Sequence, residues 1–185
     1  VNDLIALAKK TPGKISFAST GQGTSTHLSS ELFKLMANVD MLHIPYKGGP
    51  PAIADLISGQ VNMMFINMPT GITHVRSGKA KIIAVSSIKR VSQLPDVPTV
   101  DQAGVKGFET SAWSGLYAPA GTPADIINRL NKAIAAGFNT PEIKTKLASE
   151  GGEVVGSTPN EFASFIKREL DKWTKEIKES GAKIE

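Results

Sequence analysis

The stretch KISFASTGQGTSTHLSSELF, residues 14–33, passes from a short apolar run through a patch of Gly, Ser and Thr into a helical pattern. The run predicts a β-strand, and the spacing of apolar residues after the patch predicts a helix over residues 24–38. A strand that ends in glycines and hydroxyls at a helix start is typical of anion sites, because the first N–H groups of a helix have no intrahelical acceptor. The candidate anions are a nucleotide phosphate, the oxyanion of a serine hydrolase and the carboxylate of a small ligand.

Strand and helix patterns alternate on both sides of this stretch. An amphipathic helix precedes it and ends at Pro12-Gly13, and the runs MLHIPY, VNMMFIN and KIIAVSS after it predict strands, separated by helices over residues 51–58 and 72–77. This order predicts an α/β fold with a largely parallel sheet, because parallel strands need crossover helices. The helix over residues 24–38 is predicted to bury a stripe made of Leu28, Leu32, Phe33, Leu35 and Met36.

The second part of the chain is predicted to be mostly helical. Residues 88–108 predict a surface loop, and the extended apolar segment ETSAWSGLYAPAGTP follows it. Each of three helices is then introduced by a hydroxyl cap before a proline, at Thr122-Pro123, Thr140-Pro141 and Thr158-Pro159. Thr158 and Glu161 predict a capping box, and GGEVVGS predicts a short strand. The last helix is predicted to bury one face, made of Phe162, Phe165, Ile166, Leu170, Trp173 and Ile177.

The composition excludes several classes of function. The 185 residues are 41% hydrophobic and 21% charged, as in an ordinary globular protein, and the net charge of +4 comes from scattered Lys and Arg without a nucleic-acid-binding motif. There is no cysteine, so disulfides, iron–sulfur clusters and cysteine-ligated zinc are excluded. His27, His43 and His74 lack metal-ligand spacing. No nucleic acid, metal or cofactor is expected, and no apolar run approaches the ~20 residues of a membrane span.

Nucleotide-binding interpretations of the glycine patch fail. A dinucleotide fingerprint needs a third glycine where Thr26 stands, and a P-loop needs a lysine that the patch lacks. A serine hydrolase is disfavoured as well, because Ser25 and His27 are too close in sequence and Ser114 lacks the preceding glycine of a nucleophile elbow. Hydroxyls and free helix amides suit a carboxylate, with simple helix capping as the alternative.

Two further strand ends repeat this pattern. In IPYKGGPPA, Tyr46, Lys47 and Gly48 stand where a strand ends and prolines start a helix, and Asn67 follows the next strand. Because the carboxyl ends of parallel strands meet at one edge of a sheet, we expect these residues to converge on the glycine patch. The alternative for Asn67 is a turn residue before Pro69.

The chain resembles the periplasmic substrate-binding proteins of tripartite tricarboxylate transporters, the TctC-like or Bordetella uptake family. The matching stretches include ASTGQGTSTHL, HIPYKGGPPAIADLISGQVNMMF, LPDVPTVDQAG and GLYAPAGTPADIINRLN. The resemblance implies a periplasmic binding protein type II-like fold, a two-lobed flytrap. Residues 1–114 would be the second α/β lobe and residues 115–185 the C-terminal portion of the first. The chain opens in a helix without its own Met, and we expect the N-terminal part of that lobe and the signal peptide to be missing.

The same resemblance implies a function. The protein would capture a small organic acid in the periplasm and deliver it to the membrane subunits of the transporter, without enzymatic activity or cofactor. Ile66 stands where family members often carry an acid, which disfavours an amino acid ligand. The alternatives are a ligand sensor for a receptor kinase and a hydrolase or transferase that uses the patch as an oxyanion site. Self-association is expected, since helices after Thr122 would lack part of their sheet. The ligand-binding residues implied by position are Ser19, Thr20, Gly23, Thr24, Ser25, His27, Tyr46, Lys47, Gly48 and Asn67.

Overall fold

The computed structural model describes residues 1–180, and residues 181–185, the end of the predicted first-lobe portion, lie outside the described residues. The described chain forms two compact units. The first comprises Val1–Ala112 together with residues 176–180, and the second comprises Trp113–Lys175.

The first unit is an α/β layer, as predicted. Its helices are α1 (Asn2–Lys10), α2 (Ser25–Ala37), α3 (Gly49–Ser58) and α4 (Met68–Arg76), and its strands are β1 (Ser16–Ser19), β2 (Leu42–Pro45) and β3 (Met63–Met64). The strand predicted at KIIAVSS is wrong. In this segment Val85 instead pairs its backbone with the loop at residues 98–100, since its N–H donates to Pro98 and its carbonyl accepts from Val100.

The sheet is parallel, with the order β2-β1-β3. Phe17 on the central strand lies in register with His43 on β2 and with Met63 on β3. All three strands therefore end at the same edge of the sheet, as predicted from the sequence.

The two faces of β1 carry separate parts of the core. Phe17 is completely buried with Leu32 and Phe33 of α2 and with Phe108, whereas Ala18 packs on the other face. The second cluster contains Ala18, Ala52 of α3 and Val61. Alternation along the strand thus places helices on both faces of the sheet, with α2 directly over Phe17.

The buried stripe of α2 differs from the predicted one. Leu32 and Phe33 are buried as expected and Leu28 is half-buried, but Leu35 and Met36 are 40% and 38% exposed. Polar side chains, Thr26, His27, Ser29 and Ser30, take much of the buried face instead. Small hydroxyl residues bring the helix close to β1, and they are tolerated because each one is hydrogen-bonded, for example Ser30 Oγ to the Thr26 carbonyl at 2.9 Å.

The second unit contains α5 (Ala124–Phe138), α6 (Pro141–Ser149) and most of α7 (Pro159–Ser180). The capping box of α7 is confirmed, since Thr158 N–H donates to Glu161 Oε2 at 2.8 Å and Glu161 N–H donates to Thr158 Oγ1 at 3.3 Å. The cap predicted for α5 is wrong by one residue. Pro123 itself occupies the cap position, and the Thr122 hydroxyl donates to Pro119 O at 2.8 Å.

The apolar side chains of the second unit are poorly covered. Trp113 packs edge-on against Phe162 and Phe165, with ring centroids 5.7 and 5.2 Å apart, yet Leu170 on α7 remains 62% exposed. The prediction that α7 buries this residue is wrong for the described chain. The strand predicted at GGEVVGS is also not formed, so the described residues of this unit offer α7 no sheet to cover.

Candidate functional site

Two loops meet where β1 and β2 end. The backbone N–H of Tyr46 donates to the Ser19 carbonyl at 3.1 Å, and the N–H of Gly48 donates to the Thr20 carbonyl at 3.2 Å. Asn67 occupies the N-cap position of α4 beyond the end of β3, at the same edge of the sheet, and its exposed side chain makes no capping hydrogen bond. The predicted convergence is therefore found for the first two loops by direct hydrogen bonds, and for the third by sheet topology.

The start of α2 carries hydrogen-bond donors that have no acceptor in the described chain. Thr24 is its cap residue, and Thr24 Oγ1 accepts from the His27 N–H at 3.4 Å. Ser25 is exposed, and neither its hydroxyl nor its N–H has a hydrogen-bond partner within residues 1–180. The N–H of Thr26 likewise lacks an acceptor there. This helix end can bind an anion without giving up an existing bond.

Three threonine hydroxyls under the patch form a closed network. Thr24 Oγ1 donates to the Gly21 carbonyl at 2.7 Å, so it must accept in its 3.0 Å contact with Thr26 Oγ1. Thr26 then donates to Thr24, and Thr20 Oγ1 donates to Thr26 at 3.0 Å. Each hydroxyl has a single proton, so none of the three has one left for a ligand in this arrangement.

The glycine loop, residues 20–24, uses most of its own amides. Its N–H groups donate as follows: Thr20 to Thr26 Oγ1 at 2.9 Å, Gly21 to Ser19 Oγ at 3.3 Å, Gly23 to His27 Nδ1 at 3.1 Å and Thr24 to the Gly21 carbonyl at 3.4 Å. Within the described chain the amide of Gln22 is the one in this loop without an acceptor. Gly23 is thus oriented by a side chain beneath it.

A stack of three rings lies below the loop. The rings of His27 and His43 are 4.0 Å apart and nearly parallel, and Phe17 stacks on His43 at 4.8 Å. Ser19, which is completely buried, places Oγ 2.7 Å from His43 Nε2. Neither His43 nor Thr26 was among the residues predicted for the site. Strand alternation in MLHIPY, which puts His43 on the same face as buried Met41, was the available signal for His43.

Both histidines are neutral at pH 7. Burial lowers the pKa of His43 to about 4, with smaller contributions from neighbouring His27 and Lys34. Burial also lowers the pKa of His27, against the opposing effect of Glu31. His27 Nδ1 accepts from Gly23, and its Nε2 lies 3.8 Å from Glu31 Oε1, so both ring nitrogens face protein groups rather than the loop's open side.

The second loop offers fewer donors than the first. The Tyr46 hydroxyl donates to Asp55 Oδ2 at 2.7 Å, which raises the pKa of Tyr46. Lys47 is exposed and has no ion-pair partner among residues 1–180. Gly48, at φ +106°, is the N-cap residue of α3, whose first turn contains Pro50 and Pro51 and therefore lacks two of its N–H groups. The free backbone donors lie at the start of α2, and the exposed Lys47 lies on the neighbouring loop.

The described chain contains neither a candidate metal site nor a candidate membrane span. Among residues 1–180 no three His, Asp or Glu side chains lie close enough together to hold a metal ion. In the same residues no helix is both long and apolar enough to cross a membrane.

Comparisons with known sequences give a consistent result. The model of a family described as tripartite tricarboxylate transporter family receptor matches residues 1–182. The UPF0065 protein in the tcbD-tcbE intergenic region of Pseudomonas sp. strain P51 is 39% identical over 180 residues, which are 97% of this chain and 54% of that protein. The chain spans about half the length of the curated relatives that it matches.

Comparisons with solved structures agree. R. palustris Rpa4515 with adipate superimposes with a TM-score of 0.91 at 35% identity, covering 98% of this chain and 60% of that chain. The periplasmic binding protein BugD gives a TM-score of 0.87 at 36% identity, over 99% of this chain and 62% of that chain. The fold class predicted from the sequence is confirmed.

Proposed function

The chain belongs to the tripartite tricarboxylate transporter receptor family, and from this premise we propose that it binds a small carboxylate in the periplasm and delivers it to the membrane subunits of a transporter. The observation that carries the proposal is the start of α2, where Ser25 presents a free hydroxyl and, with Thr26, free backbone amides. Charge-assisted hydrogen bonds from such groups suit a carboxylate. A relative, Rpa4515, was solved with adipate, a dicarboxylate.

The predicted site residues divide into two groups in this proposal. Ser25, Lys47 and Asn67 are exposed and would contact the ligand directly. The others would support them. Ser19 and His27 are buried, the hydroxyls of Thr20 and Thr24 are bonded internally, and Tyr46 is tied to Asp55. Gly23 and Gly48 give the loops their turns, at φ +70° and +106°.

We propose the predicted division into lobes as well. Residues 1–114 would be one complete lobe and residues 115–185 the C-terminal portion of the other. Support for the boundary near residue 114 comes from the division into compact units, which falls between Ala112 and Trp113, although residues 176–180 group with the first unit. Further support comes from the exposed apolar side chains of the second unit, because a partial lobe would leave such side chains uncovered.

Enzymatic activity has little support in this site. Acyl transfer needs a nucleophile beside a general base. Ser25 has a free hydroxyl but no hydrogen-bonded histidine, while His27 and His43 are engaged with Gly23 and Ser19. Neither a hydrolase nor a sensor has an observation in its favour, and we propose a binding protein without catalysis.

The test is titration calorimetry against mono-, di- and tricarboxylates, adipate among them, with the protein expressed from its complete reading frame. We expect saturable binding without turnover, and Ser25→Ala should weaken it about 10- to 100-fold through loss of one hydrogen bond to a charged group. Ser164→Ala, at an exposed serine of α7, is the matched control and should leave the affinity unchanged. Turnover, or no binding of any acid, would overturn the proposal.

We propose finally that residues 1–185 self-associate through the second unit. Leu116 and Tyr117 are 69% exposed, Val155 is 84% exposed and Leu170 is 62% exposed. Large exposed apolar side chains in one small unit favour association. Sedimentation velocity should show dimers or larger species, and Leu170→Glu should shift the distribution toward monomer. A monomer at every concentration would contradict self-association and leave the binding proposal intact.

A further inference from the structure

His27 contacts the glycine loop at two points. Its ring Nδ1 accepts the N–H of Gly23 at 3.1 Å, and its own backbone N–H donates to Thr24 Oγ1 at 3.4 Å. Gly23 has a φ of +70°, which lets the chain turn its amide down toward the ring. One residue thus holds the middle of the loop with its ring and the end of the loop with its backbone N–H, between the free donors of Gln22 and Ser25.

The ring itself has little freedom. It is 3% exposed, stacks on His43 at 4.0 Å and places Nε2 3.8 Å from Glu31 Oε1. Lys34 Nζ lies 3.0 Å from the other oxygen of Glu31, so this carboxylate is anchored as well. A ring held on two sides presents its acceptor nitrogen to Gly23 in one fixed direction.

We propose that His27 is a positioning residue for carboxylate binding: as a neutral ring it holds the Gly23 amide and so keeps the free donors of Gln22, Ser25 and Thr26 in their binding arrangement. This inference rests on the proposed function. It assigns His27 a role beneath the site, without a contact to the ligand.

Protonation would remove this function. A doubly protonated ring carries N–H at Nδ1, which opposes the Gly23 N–H instead of accepting it. The charged and titratable groups that face His27 are Glu31 and Lys34 on α2 and His43 on β2. Burial and Lys34 oppose the charged ring and outweigh Glu31, which favours it, so the pKa of His27 lies below its ordinary value of 6.5. The loop therefore keeps this support at neutral pH and loses it as the pH falls through the lowered pKa of His27.

Two substitutions at position 27 separate the role of the ring as a hydrogen-bond acceptor from its role in packing. Asn offers a side-chain oxygen near the place of Nδ1 and does not titrate, whereas Leu fills similar space without an acceptor. We expect His27→Leu to weaken adipate binding about tenfold at neutral pH, the effect of one lost hydrogen bond. His27→Asn should restore most of that affinity.

The decisive readout is the pH profile of the dissociation constant, measured by calorimetry from about pH 8 to about pH 5 with the protein from its complete reading frame. The affinity of the unaltered protein should fall on acidification more steeply than that of His27→Asn, and the ratio of the two cancels protonation of adipate itself. Parallel profiles, or equal affinity of the unaltered protein and His27→Leu, would overturn this inference alone. Absence of adipate binding at every pH, with no other acid bound, would overturn the proposed function and the inference together.

Discussion

Phe17→Ala is expected to lower the free energy of unfolding by about 3–5 kcal/mol, the usual range for removing a buried aromatic ring. Phe17 is completely buried at the centre of the sheet, packed against Leu32 and Phe33. Its ring also stacks on His43 at 4.8 Å. Removal would leave a cavity below the glycine loop, so carboxylate binding should weaken together with stability.

Urea denaturation of the unaltered protein and the variant measures this effect. Phe138→Ala is the matched control, because Phe138 is 38% exposed and its truncation should cost about 1 kcal/mol or less. Equal losses from the two substitutions would show that Phe17 does not occupy the core of the sheet. A loss at Phe17 with unchanged ligand affinity would show that the loop does not depend on the ring stack.

Acidification should destabilise the protein through His43. In the unfolded chain a histidine titrates near 6.5, whereas burial lowers the pKa of His43 to about 4 in the folded protein. Above pH 6.5 both states are neutral and the full stability is present. Between 6.5 and about 4 the unfolded chain binds a proton that the folded protein does not, so stability falls. Since His43 is only half-buried, we expect a loss on the order of 1–3 kcal/mol.

The comparison with His43→Gln isolates this effect from the titration of carboxylates. Glutamine keeps a polar group near the position of Nε2, where Ser19 Oγ lies 2.7 Å away, but does not titrate. The difference in unfolding free energy between the unaltered protein and the variant should shrink as the pH falls through this range. A constant difference from neutral pH to about pH 4 would mean that His43 titrates alike in both states.

Local signals predicted most of the first unit. Thr24 and Asn38 bound α2 as expected, because a hydroxyl cap and an αL residue, here at φ +50°, are decided by neighbouring residues. Leu35 and Met36 were misplaced because helical spacing does not reveal which side of α2 faces the sheet. The strand predicted around Val85 was also wrong because a local pattern does not reveal the pairing partner. That partner is a loop rather than β3.

The site was predictable in outline and not in its contacts. The strand ends that carry Thr20, Tyr46 and Asn67 were found from topology alone. The sequence did not reveal which hydrogen-bonding groups remain free. The Ser19 hydroxyl is bonded to His43, which is distant in sequence. The Gly23 amide is bonded to the ring of His27, whose direction depends on packing. Spacing indicates where polar residues stand, whereas hydrogen-bond satisfaction depends on the tertiary structure.

The closed network of Thr20, Thr24 and Thr26 has a thermodynamic consequence. Because these hydroxyls satisfy one another before any ligand arrives, the conformational entropy of the glycine loop is lost during folding and not during binding. Affinity for a carboxylate would then reflect mainly the exchange of water for protein donors, with little loop ordering to oppose it. In the function proposed above, the protein would recognise its ligand with a surface that is already formed at this loop.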